Sequence, residues 1–277
     1  MRVPEQVKDI VVFVYIKGID GKLVPNGTAF FVGVKDQKDA NRFWVHLITA
    51  KHVLCEKGDG PFYPFVYIRL DKITGGTETL EFPVVLSGEK QTVFVHSDPL
   101  VDLVAIPVLP DQTKYHFKFL PDEMITTQEQ FLSLKIAEGS EIFFTGLFTP
   151  HIGESRNLPI VRFGRVALVT PEKVEWDGRK LDLYLIESFS YGGNSGSPVF
   201  FYLGPDREPG SFIVGPPVLV LAGIMKGAFQ DIKPVQVVNT SPIAVSVSNL
   251  GISAVVPAYK LKELLQSLEL APQIKNQ

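Results

Sequence analysis

The chain is poor in cysteine, because Cys55 is the only one among 277 residues. A single cysteine excludes an internal disulfide framework and a cysteine-rich zinc site. An excess of one charge is also lacking, since 27 Lys and Arg face 30 Asp and Glu, for a formal net charge of −3. With no basic cluster either, the composition argues against a nucleic-acid-binding surface.

Long apolar runs are missing as well. None approaches the ~18 residues that a membrane-spanning helix needs, and the first residues lack the apolar segment of a secretory signal. We therefore expect a soluble, cytoplasmic protein that needs neither nucleic acid nor a membrane. Its 45% hydrophobic residues are sufficient for a large core without disulfides or a metal.

What the chain does contain is a series of short apolar segments, rich in Val, Ile, Phe and Thr. Gly, Pro and Asp separate them, and no helical pattern of ~10–15 residues lies between them, which favours antiparallel all-β structure. The segments form two sets of six, and this grouping indicates two closed six-stranded barrels. One helix is predicted at the end of the chain. Pro257 begins it, and its apolar positions recur at helical spacing: Leu261, Leu264, Leu265 and Leu268.

The boundary between the halves is visible as a stretch with less β patterning, which contains Pro110, Pro121 and the polar run 126–130. Four parts are predicted on this basis. They are an N-terminal barrel at 1–110, a linker at 111–139, a C-terminal barrel at 140–257, and a helix with a tail at 258–277.

Three short motifs carry chemistry. His52 ends an apolar strand in Thr-Ala-Lys-His, Asp102 precedes the apolar run Leu-Val-Ala-Ile, and Ser195 stands in the turn Gly-Gly-Asn-Ser-Gly-Ser-Pro. Hydrolysis by a serine needs a base for the hydroxyl proton, an acid that orients the base, and N–H groups that hold the oxyanion. All three components are present, in the order His, Asp, Ser.

The glycines around Ser195 have a physical reason. An oxyanion hole formed by the N–H groups of Gly193 and Ser195 requires a sharp backbone turn, which glycine permits at low cost. Asp98 competes with Asp102 for the acid role, but the apolar run starts directly after Asp102. The remaining histidines and Cys55 have no partners at metal-ligand spacing, so packing or surface roles are expected for them, and no metal site is predicted.

These motifs resemble those of the trypsin-like (chymotrypsin-fold) serine peptidases over nearly the whole chain. The stretch 27–32, the motif at His52, the motif at Asp102 and the turn at Ser195 all match the family pattern. The lack of disulfide cysteines, and Asn194 before the serine, place the chain nearest to bacterial Deg/HtrA-type domains. The resemblance implies two Greek-key barrels and a triad of His52, Asp102 and Ser195, with an oxyanion hole at Gly193 and Ser195.

The same resemblance implies a specificity pocket. It places Phe189 at the base, where trypsin-type enzymes have an aspartate, and puts Gly223, Ile224 and Lys226 in a wall. An aromatic base favours small or apolar side chains over Arg and Lys, unless a two-residue slip of the loop brings Glu187 to the base. Lys226 stands where several relatives have a serine that supports the triad aspartate. The sequence leaves open whether Lys226 points into solvent or favours an acidic substrate.

The sequence thus predicts a serine endopeptidase that acts on a polypeptide through an acyl-enzyme, without a cofactor. It is expected to be competent as translated, since Asn194 has no charge with which to bind a new N-terminal amine. The alternative is a non-catalytic homologue that binds a peptide. A small-molecule esterase has less support, because the chain lacks the Gly-x-Ser-x-Gly turn within α/β alternation.

Overall fold

The protein is described by a computed structural model. It covers residues 2–267 except 37, 40, 57, 59, 85–91, 206–214 and 236–243, and for 231–235 and 244–247 it describes only the backbone. The last predicted helix position, Leu268, and the predicted tail lie outside the described residues. No helix in the described part of the chain is both long and apolar enough to cross a membrane.

The first half of the chain forms one nine-stranded sheet. Its strands are β1 (Val11–Lys17), β2 (Leu23–Lys35), β3 (Phe43–Thr49), β4 (Phe65–Lys72), β5 (Thr77–Pro83), β6 (Phe94–Val95), β7 (Val104–Pro107), β8 (Tyr115–His116) and β9 (Leu120–Pro121). The main order is β5-β4-β1-β2-β3-β7-β6, with β8 on β4 and β9 on β2. Six of these strands fall on predicted segments: β1, β2, β3, β4, β6 and β7. The seven-residue strand β5 was not predicted, and β8 and β9 are two-residue pairings too short to show a sequence pattern.

The second half contains a closed six-stranded barrel in the order β10-β11-β14-β17-β16-β15. Its strands are β10 (Glu141–Gly146), β11 (Ile160–Leu168), β14 (Tyr184–Glu187), β15 (Pro198–Leu203), β16 (Val218–Val235) and β17 (Ala244–Pro257). A separate hairpin is formed by β12 (Val174–Trp176) and β13 (Arg179–Leu181). The all-β fold with a closed antiparallel barrel is thus confirmed.

In the described part of the chain, three α-helices accompany the strands: α1 (Gln6–Asp9), α2 (Gln128–Ser133) and α3 (Ala258–Gln266). The C-terminal helix α3 confirms the prediction and buries Leu261, Leu264 and Leu265. The two short helices carry no apolar repeat. The second is held by a capping box between Thr127 and Gln130, in which each side chain bonds the other's backbone N–H.

The two halves share a core. One cluster of buried side chains joins Phe13 and Phe30 of the first sheet to Phe143 and Phe200 of the barrel. Burial of such large apolar groups is the main favourable contribution to folding. Polar contacts also cross between the halves: the buried Arg69 donates from Nη2 to the carbonyl oxygen of Gly153 at 2.7 Å.

Candidate active site

His52 lies directly after β3, in a single 3-10 turn at Lys51–Leu54. Its Nδ1 is 2.6 Å from Asp102 Oδ2, and its backbone N–H donates to Asp102 Oδ1 at 2.9 Å. A carboxylate can only accept hydrogen bonds, so Nδ1 carries the ring proton. Nε2 then keeps its lone pair, which is the state that a general base requires.

Asp102 is buried in the loop before β7, with 5% of its side chain exposed. Burial alone would raise the pKa of this carboxyl, but the charges and hydrogen bonds of His52 and Lys226 outweigh it and hold the pKa well below the usual range. Asp102 is therefore ionised at neutral pH. The competing Asp98 points elsewhere, because its carboxylate accepts from the backbone N–H of Leu100 at 2.9 Å.

Lys226 of β16 makes the third contact to Asp102. Its Nζ donates to Oδ2 at 2.8 Å, and only 10% of its side chain is exposed. The ammonium also lies 5.6 Å from the centre of the Trp176 ring, within the range of a cation–π interaction. Lys226 is thus directed into the site and not into solvent. The residues that flank Lys226 gave no sign that it contacts Asp102; only its position in the family pattern pointed to that aspartate.

Ser195 is held by backbone contacts from both halves. Its carbonyl oxygen accepts from the N–H of Thr28 at 2.9 Å, and the N–H of Gly196 donates to Met225 at 2.8 Å. Gly196 has a φ of +84°, and a Cβ there would lie 2.1 Å from the Thr28 oxygen. Glycine is therefore required next to the serine. The Ser195 hydroxyl donates to the Lys226 carbonyl oxygen at 3.0 Å.

The turn before Ser195 has the form that an oxyanion hole requires. Gly193 has a φ of +95°, and its carbonyl oxygen accepts from Thr28 Oγ1 at 2.7 Å, which fixes the direction of its peptide groups. Asn194 is buried, donates to Leu147 and accepts from Tyr191. None of the hydrogen bonds among the described residues uses the N–H of Gly193 or Ser195, so both remain available to a developing anion.

A cavity of about 620 Å³ opens beside this group. His52, Ser195 and Lys226 line it, together with Trp176 of the β12–β13 hairpin and Phe229 of β16. The Trp176 and Phe229 rings meet edge to face with their centres 4.8 Å apart. A smaller cavity of about 260 Å³ is also lined by Trp176 and His52, together with Asp102.

The structure brings the predicted pocket residues together only in part. Only Lys226 lines the larger cavity. Phe189 is 52% exposed at the surface, beside Gly251. Ile224 is fully buried in the core, and Gly223 faces β17, where a Cβ would lie 2.2 Å from the Val256 oxygen. These three residues lie outside the cavity because Phe189 is directed to the surface, Ile224 to the core and Gly223 to the backbone of β17.

Other residues form the cavity wall that Phe189, Gly223 and Ile224 were expected to form. The larger cavity is lined on this side by Ser190, Tyr191, Gly192, Gly227, Ala228 and Gln230. Below it, Ser190 Oγ and Ser253 Oγ are 2.9 Å apart, and Ser253 donates to the carbonyl oxygen of Ser188. A chain of serines in a strand pattern looks like ordinary β sequence, so no sequence signal distinguished them.

None of the four other histidines lines a cavity that contains Ser195: His46, His96, His116 and His151. His46 is buried, with Nδ1 3.2 Å from the Trp44 oxygen. His96 Nε2 lies 3.0 Å from Glu263 of α3. Among the residues that the structure describes, no three His, Cys, Asp or Glu side chains are grouped so as to hold a metal ion.

No protein-family model and no curated protein sequence matches the chain. Solved structures are similar to it, among them the apo MamO protease domain of Magnetospirillum magneticum, with a TM-score of 0.52 and 16% identity over 95% of this chain and 99% of that one. An inactive form of Rv3671c from M. tuberculosis H37Rv, a serine-to-alanine mutant, has a TM-score of 0.43 and 16% identity over 98% and 90%. The first likeness confirms the fold expected from the resemblance to trypsin-like protease domains.

Proposed function

We propose that this chain, which has the fold of a protease domain, is a serine endopeptidase. The observation that carries the proposal is the contact of 2.6 Å between His52 Nδ1 and the ionised Asp102, beside a cavity that Ser195 also lines. In the proposed reaction, His52 Nε2 takes the Ser195 proton as Oγ attacks a peptide carbonyl. The N–H groups of Gly193 and Ser195 then hold the oxyanion.

The protonated His52 next gives its proton to the leaving amine, and an acyl-enzyme remains on Ser195. Water then attacks this ester, with His52 again as the base, and releases the acid and the free serine. Asp102 keeps His52 in the required tautomer throughout. No step requires a group beyond these residues and water.

An extended polypeptide is the proposed substrate. The pairing of β16 with β15 ends at Ile224, and from Lys226 onward β16 lines the cavity beside Ser195. Its other edge pairs with β17. A peptide can add to the edge that faces the cavity by backbone hydrogen bonds, a common mode of peptide recognition.

A second candidate function is peptide binding without hydrolysis. The observation that favours it is the hydrogen bond from Ser195 Oγ to the Lys226 carbonyl oxygen, which directs the hydroxyl proton away from His52. If a backbone N–H of a bound substrate donated to this carbonyl oxygen instead, the Ser195 hydroxyl would be free to donate to His52. The two candidates therefore differ in whether Ser195 becomes nucleophilic.

Labelling with a fluorophosphonate probe separates them. We expect covalent labelling of the wild-type protein, none in Ser195→Ala, and unchanged labelling in the control Ser133→Ala, whose hydroxyl lies in the exposed helix α2. His52→Ala is expected to lower the rate by on the order of 10⁵–10⁶. Cleavage of a peptide library then tests hydrolysis directly. An unlabelled wild type that still binds library peptides would favour the second candidate.

A further inference from the structure

Lys226 occupies an unusual position for a lysine. The ammonium is nearly buried, and it bonds the same carboxylate oxygen as His52: Nζ at 2.8 Å and Nδ1 at 2.6 Å from Asp102 Oδ2. The peptide carbonyl of the same residue accepts from Ser195 Oγ at 3.0 Å. Lys226 is thus in contact with both ends of the proposed triad.

Stability alone does not account for this lysine. Replacing a buried ion pair by apolar groups of similar size is often neutral or stabilising, because the desolvation of two charges offsets their attraction. Asp102 would also keep two hydrogen bonds without Lys226, from the ring and the backbone N–H of His52. The charge at this position is therefore better explained by its effect on the neighbouring ring.

That effect follows from electrostatics. When His52 accepts the serine proton, its ring becomes a cation that Asp102 stabilises. A permanent ammonium on the same oxygen takes part of that stabilisation and repels the second positive charge. The ring is consequently harder to protonate than beside an unshared carboxylate.

Other charged or titratable groups near His52 line the two cavities. Lys51 precedes it in the chain and lines the smaller cavity, with Asp177 and Arg179 of the hairpin. Glu175 and Tyr191 line the larger cavity. Among the described residues, Lys226 is the one lysine bonded to the carboxylate that His52 uses.

We propose that Lys226 is a positioning residue, which fixes Asp102 for His52 and whose charge opposes protonation of the His52 ring. The catalytic consequence rests on the proposed function, whereas the electrostatic effect does not. The His52 ring would therefore stay unprotonated down to a lower pH than it would with a neutral residue at position 226. A lysine at this position thus adjusts the pH range of the proposed reaction.

The test is a titration of the His52 ring by ¹H–¹³C NMR, with His52→Ala for assignment. We expect the midpoint to move to higher pH by about half a unit or more in Lys226→Met and Lys226→Ser, and to stay within about 0.2 unit in Lys226→Arg, which keeps the charge. Lys22→Met, in the exposed β1–β2 turn, changes the net charge equally and should leave the midpoint unchanged. Circular dichroism checks that each variant is folded.

The rate of fluorophosphonate labelling against pH gives the second readout, and its acid limb should shift with the NMR midpoint. Unmoved midpoints in the folded Lys226→Met and Lys226→Ser proteins would overturn the proposal, even if labelling is efficient. Shifted midpoints with no labelling in any protein would support the role of Lys226 and contradict the proposed hydrolysis. If Lys226→Met does not fold, Lys226→Ser and Lys226→Arg provide the comparison of neutral and charged residues.

Discussion

Thr28 Oγ1 donates to the carbonyl oxygen of Gly193 at 2.7 Å and accepts from the N–H of Leu147 at 2.9 Å. This single hydroxyl of β2 therefore connects the first sheet, the barrel and the turn that carries Ser195. Thr28 is fully buried, so no water is available to replace either bond.

Thr28→Val keeps the shape of the side chain and removes both hydrogen bonds. Each buried group left without a partner costs about 1–3 kcal/mol, so we expect lower stability in urea unfolding. Because the Gly193 peptide is no longer fixed, fluorophosphonate labelling should slow by about tenfold or more. The control is Thr79→Val on the exposed edge strand β5. Equal labelling rates in the two variants would contradict this role of Thr28.

Gly196 and Gly75 offer a matched pair, because their φ angles are nearly the same, +84° and +87°. A Cβ at Gly196 would lie 2.1 Å from the Thr28 oxygen, whereas at Gly75 it would meet nothing within 4 Å. Gly75→Ala should cost only the backbone strain, about 1–2 kcal/mol. Gly196→Ala should cost several kcal/mol more and abolish labelling. Unfolding free energies measure the difference, and equal losses would exclude a steric requirement at Gly196.

His46 should make stability depend on pH. Burial lowers the pKa of its ring from 6.5 to about 4, because the interior disfavours the charged form. The unfolded chain then binds a proton at a pH where the folded protein does not. The contribution is complete above pH ~6.5, falls as the pH drops, and is lost below about 4. It corresponds to about 3 kcal/mol.

Urea unfolding between pH 4 and 7 measures this dependence. His46→Gln should flatten the curve, and its absolute stability should fall through lost packing. His151→Gln is the control, since His151 is exposed. A His46→Gln curve parallel to that of the wild type would show that His46 is not the source.

Trp176 lines both cavities beside His52 and makes no hydrogen bond to Ser195, His52 or Asp102, so its removal should affect binding more than chemistry. In Trp176→Ala the ring contact with Phe229 is lost. The indole also covers Gly227, where a Cβ would lie 3.3 Å from the ring, so this part of the backbone becomes open. With a peptide identified by library profiling, we expect KM to rise by about tenfold or more and kcat to change little. Lys173→Ala, exposed before the hairpin, is the control. A fall in kcat at constant KM would contradict this assignment.

Local sequence patterns account for most of the fold and for the contact between His52 and Asp102. The strand before His52 and the turn at Ser195 carry their own signals, because apolar alternation and glycine content reflect local geometry. The wall of the cavity carries none. Phe189 follows a strand by two residues, and only the path of the loop decides whether its ring points inward or, as found, outward.

Lys226 illustrates the same limit. Its side chain contacts an aspartate 124 positions earlier, and no local pattern can encode such a partner. The length of β16 was also beyond the sequence pattern, which indicates a strand only over 218–224. The strand continues to Val235 by pairing with β17, and that pairing depends on a register set within the barrel.

The bond between Thr28 and Gly193 joins positions 165 residues apart, and this separation has a consequence for how the protein matures. Contacts between distant parts of a chain form late, since the entropy of closing a long loop must first be overcome. The turn at Ser195 obtains its final shape only when both halves have folded and docked. A nascent or half-folded chain would therefore carry a serine that is present but not yet reactive, and reactivity towards a fluorophosphonate would appear as the last event of refolding.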